Sequence, residues 1–267
     1  MIVDGNKIAK VLEEKLTTEL LFSLPKKVCF VVFGGNPATE QFVKMKSRVA
    51  ERVGIVVDIK KYPEVTTTDE AVDIVRTLGG EKYDGIVVQL PLTKGVDAQT
   101  VLDVVPPEKD IDVLGTIAKE SYVTGRIKRT PPVAQAVYEI LESSGIKLNG
   151  KKIVVVGQGR LVGEPVHLMF KRMKIAHDLI DSKTPEKKKL ALFKEADIII
   201  SGIGVPHSIT GEMVKDGVVL IDAGTSEQGG KLVGDIDPRC ESKASLFTPV
   251  PGGVGPITIV SLLRNLL

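Results

Sequence analysis

The sequence predicts an α/β fold of two domains, and three observations carry that expectation. Short β-branched runs alternate with helical patterns from end to end, as in a mostly parallel sheet crossed by helices. The runs of the second half are apolar enough to be strands covered on both faces. A length of 267 residues, 43% of them hydrophobic, suffices for one large core or two modest ones.

The elements follow in order. Helical spacing over residues 7–21 precedes a strand at 28–33. A helix over 39–53 comes next, with Asn36 as its cap and Pro37 at its first position. A strand at 56–59, a helix at 68–78 and a strand at 85–89, stopped by Pro91, complete the first half. Val133, Val137, Ile140 and Leu141 then follow helical spacing, so residues 131–144 read as a connecting helix, with Thr130 as N-cap and Gly145 at C′. The second half offers strands at 153–156, 178–180, 198–201 and 218–221. The lysines at 187–189 follow Pro185 and Glu186 at a helix start and read as a solvated face. A last helix over 256–267 carries Ile259, Leu262, Leu263 and Leu266 on one stripe, most economically packed against the first half. The expected domains are therefore 1–120 plus 249–267, and a Rossmann-like 121–248, with the helix at 130–145 between them.

Composition narrows the function classes. Lys and Arg number 36 against 34 Asp and Glu, a formal charge of +2, which gives no general reason to expect nucleic acid. Trp is absent and aromatics are 4%, which argues against a stacking platform for single strands. Cys29 and Cys240 are far apart with no CxxC, so neither a disulfide framework nor a zinc site is indicated. Cys29 lies in an apolar run and reads as a buried thiol. No apolar stretch reaches the length of a membrane span and the N-terminus lacks a leader pattern, so a cytoplasmic location is expected.

Four clusters carry chemistry. The first is the strand 153–156 running into Gly157-Gln158-Gly159-Arg160-Leu161-Val162-Gly163 and then a helix beginning near Glu164-Pro165. Glycines allow a tight turn close to a phosphate, and the helix N-terminus supplies N–H groups with partial positive charge. Asp181 at the end of the next strand stands where such domains place the ribose-binding carboxylate. A merely Gly-rich turn is the plainer alternative. The second cluster is the helix bearing Phe42 and Lys46, one turn apart, on a face shared with Val49 and Val53. A solvated lysine is the bland reading. The apolar face points Lys46 inward instead, where desolvation would lower its pKa toward neutrality. In the third, Gln89 ends a buried strand, and a later loop carries Asp110 and Asp112. That spacing would suit a metal, but no His or dense carboxylate cluster joins it, so no metal is expected. The fourth, Thr248-Pro249-Val250-Pro251-Gly252-Gly253-Val254-Gly255-Pro256, is a stiff loop with permissive points for backbone to approach a ligand. The three histidines have no nucleophile partner and no catalytic role is assigned to them.

Together these segments resemble the bifunctional methylenetetrahydrofolate dehydrogenase/cyclohydrolase family, over nearly the whole chain. The opening Val3-Asp4-Gly5-Asn6-Lys7, the helix at 36–46, Val88-Gln89-Leu90-Pro91-Leu92, Lys109-Asp110-Ile111-Asp112, Ile221-Asp222-Ala223-Gly224, Val233-Gly234-Asp235 and residues 248–256 occur in family order. The resemblance implies oxidation of methylenetetrahydrofolate to methenyltetrahydrofolate by hydride transfer to NAD or NADP. It further implies hydrolysis of the product to 10-formyltetrahydrofolate, a step of one-carbon metabolism that feeds purine biosynthesis. It places the catalytic lysine at Lys46, the strand-end glutamine at Gln89 and the pterin-binding aspartate at Asp112. Substrate would be held beside Phe42, Pro251, Gly252 and Gly253. The cofactor would be held by Gly157, Gln158, Gly159, Arg160, Val162, Gly163, Asp181, Ser182 and Thr225. It also implies a homodimer.

This chain departs from the family pattern at four places. Phe42 replaces a tyrosine, Gln158 an arginine, Val113 a glycine, and Lys128-Arg129-Thr130-Pro131 a Pro-Cys-Thr-Pro segment. Loss of the phenol predicts weaker hydrolysis. Gln158 with Asp181 predicts a preference for NAD. The alternatives are a dehydrogenase with weak cyclohydrolase activity, or a non-catalytic folate or dinucleotide sensor.

Overall fold

The computed structural model describes residues 1–267, the side chain of Ala38 excepted. The chain divides into two compact units, Val11–Thr130 with Leu262–Leu267, and Met1–Lys10 with Pro131–Ser261. The two main sheets are parallel, as the sequence predicts, with apolar central strands.

The first unit contains most of α1 (Gly5–Leu20), then β1 (Lys27–Phe33), α2 (Pro37–Arg52), β2 (Val56–Tyr62), α3 (Thr68–Gly80), β3 (Gly85–Gln89), α4 (Ala98–Leu102) and α5 (Thr116–Val123). Its sheet has the order β2-β1-β3. β1 is buried along almost its whole length, with Val28, Cys29, Phe30 and Val31 inaccessible to solvent. β2 alternates between half-buried and exposed residues, as an edge strand does. α3 begins in a capping box, Thr67 accepting from the Glu70 N–H while Glu70 accepts from the Thr67 N–H. The carbonyls of Gly79 in its last turn and of its C-cap Glu81 accept from Lys109 Nζ at 2.7 Å each.

The second unit contains α6 (Pro132–Ser143), β4 (Ile153–Val156), α7 (Gly163–Met173), β5 (Asp178–Ile180), α8 (Glu186–Glu195), β6 (Ile198–Ser201) and β7 (Val219–Asp222). A hairpin of β8 (Ser226–Gln228) and β9 (Lys231–Val233), a 3-10 turn at Pro238–Ser242, β10 (Leu246–Phe247) and α9 (Val254–Arg264) follow. The sheet order is β10-β7-β6-β4-β5.

Several boundaries differ from the sequence expectation. α6 is capped at Pro131 with Pro132 at its first position, one residue later than a Thr130 cap, while Gly145 takes the positive φ of 69° expected at C′. α9 starts at Val254 rather than Pro256, because proline suits the first turn as well as the first position. The compact units also part from the expected 120/121 and 248/249 limits. Residues 1–10 join the second unit, where Val3 N–H donates to the Phe247 carbonyl and Phe247 N–H to that of Met1, each at 2.9 Å. Only Leu262–Leu267 of the last helix and tail go with the first unit. Among the described residues, no helix is long and apolar enough to cross a membrane.

Candidate active site

In the order β2-β1-β3 the chain moves from β1 to one neighbour and returns to the other, so the topology reverses between β1 and β3. Crevices in parallel sheets open at the carboxyl ends of strands flanking such a reversal. Gln89 ends β3 there and is 8% exposed. α2, the helix after β1, brings Lys46 to it, and Lys46 Nζ donates to Gln89 Oε1 at 2.9 Å. Gln89 Nε2 donates to the Leu90 carbonyl at 2.9 Å, which turns the oxygen toward the lysine. Val43 and Ala50 of α2 and Val53 just after it are buried, and Phe42 lies half-buried one turn before Lys46.

Asp112 is the electrostatic partner of this lysine. Burial lowers the Lys46 pKa and the Asp112 charge pulls it part of the way back. Burial raises Asp112 in turn, against the pull of Lys46. The structure thus brings together three residues that lie far apart in sequence.

Asp110, the other carboxylate of this loop, faces inward. Its Oδ1 accepts from Val113 N–H at 2.8 Å, and its Oδ2 from Leu114 and Gly115 at 3.0 and 2.8 Å. Burial, with the Asp112 charge beside it, pushes its pKa up to about 6 against those donors. Val113, where the family pattern has glycine, holds a φ of 56°. That is a genuine outlier for a β-branched residue, and the Asp110 clamp maintains it. Sequence reading missed this role of Asp110, although aspartates readily bond backbone a few residues on.

In the second unit the reversal falls between β4 and β6. Gly157 leaves β4 with a φ of 93°. A Cβ on Gly163 would collide with the Gly157 carbonyl, so α7 can start directly against the turn. A Cβ on Gly159 would meet only the Gly202 carbonyl, at 3.9 Å. The turn is therefore open at Gly159, and Val162, the N-cap of α7, gives the helix no side-chain cap. Such a start suits a pyrophosphate. α7 begins at Gly163, slightly before the expected Glu164-Pro165. At the end of β5, Asp181 Oδ2 accepts from Gln158 Nε2 at 3.2 Å, and Oδ1 accepts from Lys183 N–H at 3.0 Å and Thr184 Oγ1 at 2.9 Å. These donors, Thr184 foremost, lower its pKa. Ser182 and Thr225 are exposed, and Arg160 is half-buried.

Pro251, Gly252 and Gly253 lie in this second unit. The Gly252 carbonyl accepts from Gly5 N–H at 2.9 Å, and a Cβ on Gly253 would come 2.6 Å from the Pro249 carbonyl. At least part of the loop's glycine content thus serves contact with the chain's own start. Sequence reading also missed Asp222 and Asp235. Buried Asp235 accepts from Ser201 Oγ and from the N–H groups of Ile203 and Val205 at 2.7–3.0 Å. Asp222, pushed by burial to about 6, accepts from Gly224, Asp235 and Ile236. A Cβ on Gly224 or Gly234 would strike one of these carboxylates, which explains both glycines. No cluster of three or more His, Cys, Asp or Glu able to hold a metal occurs among the described residues.

A lysine held on a glutamine at one sheet reversal and an open glycine turn at another define an α/β enzyme that uses a dinucleotide. Residues 3–112 match the tetrahydrofolate dehydrogenase/cyclohydrolase catalytic domain, and residues 131–267 the NAD(P)-binding domain of the same family. The chain belongs to the tetrahydrofolate dehydrogenase/cyclohydrolase family. The bifunctional protein FolD of Halothermothrix orenii is 37% identical, over 99% of this chain and 95% of its own. The crystal structure of the Campylobacter jejuni bifunctional enzyme superposes with a TM-score of 0.93 at 30% identity, covering 100% of this chain and 96% of that one. The Trypanosoma brucei enzyme, solved with NADP and an inhibitor, gives 0.92 at 30% identity, covering 100% and 95%. The chain is an enzyme that oxidises methylenetetrahydrofolate with a nicotinamide dinucleotide and hydrolyses methenyltetrahydrofolate. Neither a sensor nor a dehydrogenase of weak cyclohydrolase activity is favoured.

Proposed function

We propose that Lys46, Gln89 and Asp112 carry the folate chemistry of this enzyme, with Gly157–Gly163 and Asp181 holding the dinucleotide. The observation that supports this most directly is the 2.9 Å bond from Lys46 to Gln89 on a desolvated lysine. In hydrolysis, water adds to the methenyl carbon and neutral Lys46 takes one of its protons. Lys46 returns that proton to the ring nitrogen as the carbon–nitrogen bond breaks, and the remaining hydroxyl proton leaves to solvent as the formyl group forms. Gln89 aims the amine without adding charge. Asp112 accepts hydrogen bonds from the amino-pyrimidinone edge of the pterin, and Phe42 supplies apolar surface beside it. Pro251, Gly252 and Gly253 complete the substrate set.

When bound, the nicotinamide accepts a hydride from the methylene carbon. The residues here need only place and orient the two partners. Gly157, Gly159 and Gly163 with Val162 would seat the pyrophosphate, and Asp181 the ribose. Gln158, Arg160, Ser182 and Thr225 would border the cofactor. The uncharged Gln158 and the acidic Asp181 support NAD over NADP, since a carboxylate bonds a ribose 2′-hydroxyl and repels a 2′-phosphate. A homodimer and a cytoplasmic location are part of the same reading. Following methenyltetrahydrofolate formation with each dinucleotide, and then decay of the methenyl band, tests both activities. Lys46→Met with hydrolysis at the wild-type rate would overturn the assignment.

A further inference from the structure

We propose that Asn265 is a positioning residue for the folate reaction, setting Asp112 through the backbone immediately before it. This rests on the reading of Asp112 as the pterin-contacting carboxylate.

Asn265 lies just beyond α9, in the short C-terminal tail that joins the first compact unit. Its Nδ2 donates to two carbonyls, Ile111 and Thr130, each at 2.8 Å. Its Oδ1 accepts from the Thr130 N–H at 3.2 Å. Its own carbonyl accepts from Arg129 Nε at 2.9 Å, and Arg129 Nη1 reaches the Pro107 carbonyl at 3.3 Å. One primary amide therefore ties the residue next to Asp112 to the last residue before the chain enters the second unit. No other small side chain can do this. A carboxylate cannot donate to the two carbonyls, and a hydroxyl has one proton for both.

The strap it holds lies along β3, the strand that ends in Gln89. Ile86 N–H donates to the Lys109 carbonyl at 2.8 Å, and Ile86 bridges Asp110. A Cβ on Gly85 would collide with Leu266 and Ile111, so the bare glycine lets both pack against the strand. Downstream, Asp110 grips the N–H groups of residues 113–115. Asp112 thus stands between two clamps, an amide from the chain's end on one side and a buried carboxylate on the other. Anchoring the tail alone would not require the amide, because Leu262, Leu263 and Leu266 are already buried.

The test compares Asn265→Asp, Asn265→Ser and Asp112→Asn with wild type, below the melting temperature of each. Both Asn265 variants should raise the KM for methylenetetrahydrofolate about tenfold, the scale of one hydrogen bond, with dinucleotide Kd unchanged. They should also move the pH profile of methenyl hydrolysis to lower pH, because a displaced Asp112 no longer holds up the Lys46 pKa. A lowered melting temperature with KM and pH profile at wild type would overturn the proposal, as would insolubility of both variants, which would assign the amide to folding alone. Asp112→Asn with wild-type KM would instead remove the Asp112 reading on which the proposal stands. An impaired Asp112→Asn beside normal Asn265 variants would sink the positioning role only.

Discussion

Lys46 Nζ and Gln89 Oε1 meet at 2.9 Å although they arrive from different elements, α2 and β3. The partner matters as much as the contact. An amide oxygen accepts the hydrogen bond with no formal charge, so burial is free to lower the lysine pKa. A carboxylate in its place would hold the proton on Lys46.

Lys46→Met should therefore abolish methenyl hydrolysis while leaving dinucleotide binding near wild type, because the glycine turn belongs to the other unit. Loss of the methenyl band in a stopped-flow trace checks the first part, and dinucleotide titration the second.

Gln89→Glu should shift the pH dependence of hydrolysis. Neutral Lys46 is the active form, so the rate climbs with pH through the lowered lysine pKa. A charged neighbour raises that pKa, and the rising limb should move to higher pH with a slower rate at neutrality. An unmoved limb would show that Lys46 does not titrate in this step.

Phe42→Tyr should raise hydrolysis. The phenol restores a donor and acceptor one turn before Lys46. A hydrogen bond to a polarised group is worth about 1.5–3 kcal/mol, or roughly ten- to a hundredfold in rate if felt only in the transition state. No gain in kcat would mean that the hydroxyl has no role in this site.

NAD should be preferred to NADP by roughly one to two decades in kcat/KM, from a missing charge-assisted bond worth about 1.5–3 kcal/mol. Gln158→Arg with Asp181→Ser should reverse the preference, since Gln158 bonds Asp181 and both are removed as one unit. A wild-type enzyme that favours NADP tenfold would point to Arg160 or Lys183 as a phosphate clamp.

His167 on α7 should contribute a loss of stability as pH drops below about 6.5, the usual histidine range, while Asp110 and Asp222, both held near 6, contribute a gain as pH falls. His177 Nδ1 donates to the Ile175 carbonyl at 2.9 Å, so its Nε2 accepts from His167 Nδ1 at 2.8 Å. Burial, then the neighbouring His177 and Lys171, lowers the His167 pKa, with Glu164 opposing. The unfolded chain then binds more protons than the folded one, so stability is full above the unfolded pKa and is lost as pH falls toward the folded one. His167→Gln should remove that loss, so that the melting temperature at pH 5.5 rises relative to its value at pH 7.5 when compared with wild type (roughly one unit either side of the usual value). An unchanged slope would assign the loss to other groups.

The sequence by itself determined β1 to β7 but not the short β8, β9 and β10, because apolar runs such as 153–156 and 198–201 have only one place to go in an α/β chain. It also determined the glycine turn after β4 and the inward face of α2, whose periodicity points Lys46 at the sheet. Local pattern carries all of these. What it could not carry is pairing at long range. Asn265 meets Ile111, 154 residues away, and Asp235 meets Ser201 across 34, with no local spacing to announce either. The same limit hid the partner of residues 1–10, which join the second unit rather than the unit that follows them in sequence. Only the tertiary structure decided that Asp110 turns inward to grip backbone while Asp112 feels the charge of Lys46. Two aspartates two residues apart carry identical chemistry in sequence. Burial, the N–H groups that meet Asp110 and the Lys46 charge that acts on Asp112 gave them different work.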